Sequence, residues 1–134
     1  CGHVDPGISA SDAYLQFREA GGRTERFTIS SDGGGCLPAF DHDGNLTRFG
    51  VGLCDILPEA LADLIRAGLP LSEALAPLTS NVADLLKLRR KGRLAVGMDA
   101  DLLVLGEDQT IQHVMARGKW HIRNGDVIRR GTYE

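Results

Sequence analysis

Few residues in this chain have the types and spacing that chemistry requires, and the first group stands in FTISSDGGGC, residues 27–36. Phe27, Thr28 and Ile29 favour a strand, whereas Gly33, Gly34 and Gly35 leave the backbone free to turn sharply, so Asp32 falls where a strand ends. On these ten residues alone, an ordinary solvated turn aspartate is the first reading, because Asp and Gly populate turns for backbone reasons. The N–H groups of Gly33 to Gly35 could cradle an anion, as a glycine turn before a helix can. Cys36 has no histidine or other base beside it to make it a nucleophile, and it reads equally well as a small buried residue.

The four histidines add no second constellation. His113 and His121 lie in alternating, strand-like segments where nothing nearby supplies another ligand at zinc-site spacing. His42 sits in DHDGN, which starts like a calcium loop but lacks the glycine at position six and the glutamate at position twelve. Cys1, Cys36 and Cys54 form no CxxC pair and cannot all pair with one another, so reduced thiols are expected.

These residues need elements to hold them. Residues 9–20 read as a helix with Ser9 or Ser11 as N-cap, ending before Gly21-Gly22. After the strand ending near Ser31, LPAFDHDGNLTRFGVG reads as a loop of about fifteen residues, a length that marks functional or mobile segments. The apolar spacing in DILPEALADLIRAGLP predicts a helix over 56–67, stopped by Gly68 and Pro70. LSEALAPLTSNVADLLKL reads as two short helices broken near Pro77, the second capped by Thr79 or Ser80 and burying Val82, Leu85, Leu86 and Leu88. From Gly92 onward, short strands alternate with turn formers, and Asn124-Gly125 is a two-residue hairpin signal.

Composition bounds the rest. The chain has 134 residues, 43% hydrophobic and 25% charged, with a net charge of -3, as in an ordinary globular segment with no basic stripe for a nucleic-acid backbone. No apolar run approaches the ~20 residues of a bilayer span, and the N-terminus lacks the pattern of a signal peptide. No nucleic-acid or membrane partner is expected, and a cytoplasmic location follows by default.

TISSDGGG, GNLTRFGVG, LSEALAPLTSNVADLLKL and KGRLAVGMDADLLVL together resemble the C-terminal end of an amidohydrolase-superfamily enzyme. KGRLAVGMDADLLVL is shared across the superfamily, whereas SSDGGG followed by GNLTRFGVG, with ARGK before a hairpin, is similar to the isoaspartyl (β-aspartyl) dipeptidase branch. The resemblance covers most of residues 25–134. It implies an α/β fold: residues 1–91 as the last strands and helices of a (β/α)8 TIM barrel of a metal-dependent hydrolase, and 92–134 as the final strands of a small β-sandwich. It also implies that Asp32 ends the eighth barrel strand, touches a zinc of a binuclear site, and carries a proton from the attacking metal-bound hydroxide to the leaving amine. Catalytic groups of such barrels do lie at strand C-termini. With the flanking motifs present, the catalytic reading of Asp32 overtakes the turn reading.

The same resemblance assigns Gly33, Gly35 and Cys36 to substrate binding. The dipeptidases carry a serine at the position of Cys36, where it contacts the substrate α-carboxylate; a thiol is a weaker donor, which leaves the preferred dipeptide open. His3 falls in the seventh-strand region, which supplies no ligand, and Asp5 would line the pocket there. The family's other ligands, an HxH pair, a bridging lysine carboxylate or glutamate, and two further histidines, are not found here. A whole barrel takes about 250 residues, so the chain is expected to be a C-terminal portion, inactive and poor at binding zinc when isolated. The expected parent is a homo-oligomer cutting the isopeptide bond of small β-aspartyl dipeptides. The alternatives are another amide or cyclic-amide hydrolase of the superfamily, of the N-acyl-D-amino-acid deacylase or dihydroorotase type, and a non-catalytic assembly module.

Overall fold

The structure, a computed structural model, describes residues 8–131; Cys1, His3 and Asp5 lie outside them. It divides into two compact units between Val82 and Ala83.

The first unit begins with α1 (Ala10–Glu19), whose N-cap Ser9 accepts the Asp12 N–H at 3.0 Å. That bond satisfies one of the donors every helix start leaves open. The predicted helix over 56–67 is α2 (Ile56–Arg66), which buries Ala60, Leu61 and Leu64 at the expected spacing. α3 (Leu71–Leu75) follows, then a 3-10 turn over Ala76–Leu78 that holds buried Pro77, and α4 (Ser80–Leu85). Tyr14 from α1 and Leu64 from α2 are almost fully buried and centre the core. Phe27 stands edge-on to Tyr14 with centroids 5.3 Å apart and tilts against Phe17 at 5.2 Å. Burial and the nearby Glu73 carboxylate push the Tyr14 phenol up from its usual range.

Four local expectations are corrected. Phe27 to Ser31 form no ladder among the described residues, because a strand needs a neighbour to exchange hydrogen bonds with and this segment bonds instead to irregular backbone. The expected fifteen-residue loop is an antiparallel hairpin, β1 (Cys36–Phe40) and β2 (Leu46–Val51), with a bulge between Ala39 and Phe40. The strands join at residues 41–45, where the Asp41 carboxylate accepts the N–H groups of Asp43 at 3.0 Å and Asn45 at 2.8 Å. Thr79 does not cap α4; its hydroxyl donates to the Leu75 carbonyl at 2.8 Å and closes the preceding turn. Of the residues expected to be buried here, Val82 is half-buried, Leu85 is exposed within α4, and Leu86 and Leu88 lie beyond its end and are exposed, while Asn81 and Ala83 are buried.

The second unit carries the expected strand meander: β3 (Leu102–Leu105), β4 (Ile111–Ala116), β5 (Lys119–Arg123) and β6 (Asp126–Val127) in one antiparallel sheet, order β3-β4-β5-β6. Asn124 and Gly125, at φ 54° and 82°, make the two-residue turn that right-handed strand twist favours. A second such turn stands at Arg117 and Gly118, φ 48° and 72°. Arginine rarely adopts that conformation, and here its N–H is held by the Asp101 carboxylate at 2.6 Å. The segment before β3 is tied by Lys91 to Asp101 and Asp99, by Arg90 to Asp99 at 2.9 Å, and by a two-point pair of Arg93 with Asp84. Lys91 holds both aspartates below the usual carboxylate range and is itself raised by them.

Candidate active site

Segment 27–32 is suspended from the helical core. The buried Asn81 amide donates to the carbonyls of both Thr24 and Phe27 at 2.8 Å, and the Ile29 N–H donates to the Pro77 carbonyl at 3.0 Å. Ile29 itself is buried. These anchors, spaced along one extended stretch, carry the chain outward to Asp32.

Asp32 then takes the left-handed conformation, φ 48°, which aspartate tolerates better than most residues. A turn follows at once: the Gly35 N–H donates to the Asp32 carbonyl at 2.8 Å, with Gly34 at φ 81° in the position that requires glycine. The Ser31 hydroxyl accepts the Gly33 N–H at 3.1 Å. The Gly34 N–H reaches the Gly52 carbonyl and the Gly52 N–H reaches the Gly35 carbonyl, both at 2.9 Å, so the end of the hairpin closes back on the turn. All three glycine N–H groups are therefore donated internally, and the turn precedes a strand. The N–H groups that could cradle an anion are thus already engaged: Gly33 with the Ser31 hydroxyl, Gly34 with the Gly52 carbonyl and Gly35 with the Asp32 carbonyl.

The Asp32 side chain is exposed, and no hydrogen bond or ion pair engages its carboxylate among the described residues. Cys36, the first residue of β1, is exposed and not a small buried residue. Two neighbours that sequence reading passed over pack on this turn. Gly52 lies against the Asp32 carbonyl, and the Cys54 thiol lies over Gly33 and accepts the Ser31 hydroxyl at 3.8 Å. The signal for Gly52 was present in RFGVG, since a glycine inside a strand pattern marks close backbone approach. Nothing comparable marked Cys54.

The other singled-out residues do not join this group. His42 lies in the hairpin turn and pairs with Asp43 at 3.2 Å, both well exposed. His113, half-buried in β4, lies tilted against Trp120 with ring centroids 5.6 Å apart and accepts the Asn124 N–H at 3.2 Å. His121 is a half-buried residue of β5. Among the described residues no three His, Cys, Asp or Glu side chains gather closely enough to hold a metal ion. Asp32 supplies one carboxylate where a zinc centre takes three or four protein ligands, so these residues do not make up such a centre. Among them, too, no helix is long and apolar enough to cross a membrane.

Comparison with known proteins shows what the chain is similar to. The chain superposes on β-aspartyl dipeptidase of Fervidobacterium islandicum AW-1 in complex with a β-Asp-Leu dipeptide, with a TM-score of 0.83 and 33% identity over 98% of this chain and 35% of that one. A second structure of β-aspartyl dipeptidase from that organism matches at 0.73 and 29% identity, covering 91% and 29% of the two chains. N-acetylglucosamine-6-phosphate deacetylase of Thermotoga maritima, 19% identical with a TM-score of 0.64 over 87% and 36%, shares the fold. The chain thus spans about a third of the length of the structures it matches. Residues 12–121 match the amidohydrolase family, which embraces both the Asp32 turn and most of the C-terminal sheet. The chain belongs to the amidohydrolase family.

Proposed function

We propose that this chain is the C-terminal portion of a hydrolase that cleaves the isopeptide bond of β-aspartyl dipeptides, with Asp32 as the group that moves the proton. The observation that carries the reading is the Asp32 carboxylate: it is exposed and unpartnered at the end of an anchored segment, with its backbone locked by a turn. The similarity to a structure holding β-Asp-Leu supports the substrate class. As the oxygen of water attacks the amide carbonyl, Asp32 accepts the proton released. It then returns that proton to the nitrogen as the carbon–nitrogen bond breaks, leaving a carboxylic acid and an amine. Cys36 and the Gly33–Gly35 turn stand beside Asp32 in sequence and border the space in which the dipeptide would bind.

Amidohydrolases are generally metal-dependent. We include zinc in the proposal, with its remaining ligands supplied from outside this chain. In this reading residues 27–32 are the eighth strand of a barrel, which accounts for their extended but unpaired backbone, and 92–134 contribute strands to a sandwich. A cytoplasmic homo-oligomer completes the proposal.

The test is Asp32→Asn in the full-length protein. Asparagine is nearly isosteric, so fold and most metal binding should persist. General acid–base assistance is worth about 10²- to 10⁴-fold, so kcat on β-Asp-Leu should fall by at least about a hundredfold, with a smaller change in KM. Near-normal kcat would return Asp32 to an ordinary turn residue.

A further inference from the structure

We infer that Gly35 and Gly52 are positioning residues for Asp32, and that the β1–β2 hairpin serves as a clamp on the Asp32 turn; this rests on the reading of Asp32 as the proton carrier. Both positions are glycine for a reason that lies outside their own backbone angles, since neither has a positive φ. Each lies against Asp32. A Cβ on Gly52 would overlap the Asp32 carbonyl oxygen and lie 3.0 Å from its carbonyl carbon. A Cβ on Gly35 would lie 2.7 Å from the Asp32 Oδ1, 2.8 Å from its Cγ and 2.8 Å from its carbonyl oxygen. Backbone atoms stand in the way in both cases, so relief requires Asp32 itself to move.

The hydrogen bonds agree with the sterics. Gly52 exchanges a bond with each of Gly34 and Gly35, and Gly35 donates to the Asp32 carbonyl, so hairpin closure and Asp32 conformation share one network. The left-handed aspartate costs conformational energy and persists only where its surroundings determine it. Gly50, two residues earlier in β2, supplies the internal control: a Cβ there would meet the Leu37 carbonyl oxygen at 3.5 Å, an ordinary contact remote from Asp32.

The experiment compares Gly35→Ala, Gly52→Ala and Gly50→Ala in the full-length enzyme, measuring kcat and KM on β-Asp-Leu, bound metal, and hydrogen exchange in the peptide covering residues 31–36. For Gly35→Ala and Gly52→Ala we expect kcat lower by about tenfold or more, KM within about threefold, retained metal and faster exchange at 31–36. Gly50→Ala should stay within about twofold in kcat, as a tolerated strand substitution should. Equal losses in all three variants would show general hairpin damage and overturn the inference. So would Gly52→Ala with unchanged kcat and exchange. A rise in KM alone for Gly35→Ala would make Gly35 a substrate contact, against the inference. Should Gly52→Ala fail to fold, Gly35→Ala against Gly50→Ala decides the matter. If Asp32→Asn proves fully active, the catalytic reading falls, and the exchange response at 31–36 alone decides whether the clamp exists.

Discussion

Asp32 and Asn81 show two opposite uses of a polar side chain. Asp32 is exposed with an unengaged carboxylate, while Asn81 is buried and spends its amide on the carbonyls of Thr24 and Phe27. Removing one partner from buried hydrogen bonds leaves acceptors that water cannot reach, at about 1–3 kcal/mol. Asn81→Ala in the full-length protein should therefore lower unfolding stability by about that amount, measured by urea titration. Because the Phe27 carbonyl begins the segment that ends at Asp32, kcat should fall along with it. A variant as stable as the parent would mean that Asn81 does not anchor this segment.

The hairpin is the element on which the candidate site depends, and a lone two-stranded sheet is only marginally stable in water. Its far end is organised by Asp41, whose carboxyl is held below its ordinary 3.8, chiefly by the Asn45 backbone N–H and then by the Asn45 side chain. A carboxyl depressed in the folded state contributes stability that is fully present above its unfolded pKa. That contribution is lost as pH falls through the lower folded value. The Asp43 and Asn45 amide signals, followed by NMR on acidification, should hold steady down to about pH 4, the free aspartate range, and shift only below it. A midpoint at or above the ordinary aspartate value would show that Asp41 does not hold the turn.

On the scale of the whole molecule, the described residues contain the Asp32 turn but no metal-ligand cluster, and the chain spans about a third of the structures it matches. Titrating zinc into the isolated 134-residue chain should give no tight stoichiometric site by calorimetry, because one carboxylate cannot replace the usual three or four ligands. Tight one-to-one binding would reveal a ligand set other than the one inferred.

The amino-acid sequence by itself determined the family, α1, α2 and the C-terminal meander. Their signals are local: a cap, a helical apolar spacing, an Asn-Gly turn and a superfamily motif can each be read within a dozen residues. It also singled out Asp32, though through flanking motifs, since the aspartate alone was indistinguishable from a turn residue. Only tertiary structure decided what surrounds it. The hairpin was hidden because the polar turn 41–45 dominated the composition of its short strands. The exposure of Leu86 and Leu88 followed from where α4 stops, a boundary the sequence did not mark, and Leu85 is exposed within the helix itself. The contact of Gly52 with Asp32 joins residues twenty positions apart through the closing of two strands, and that register exists only once the chain has folded.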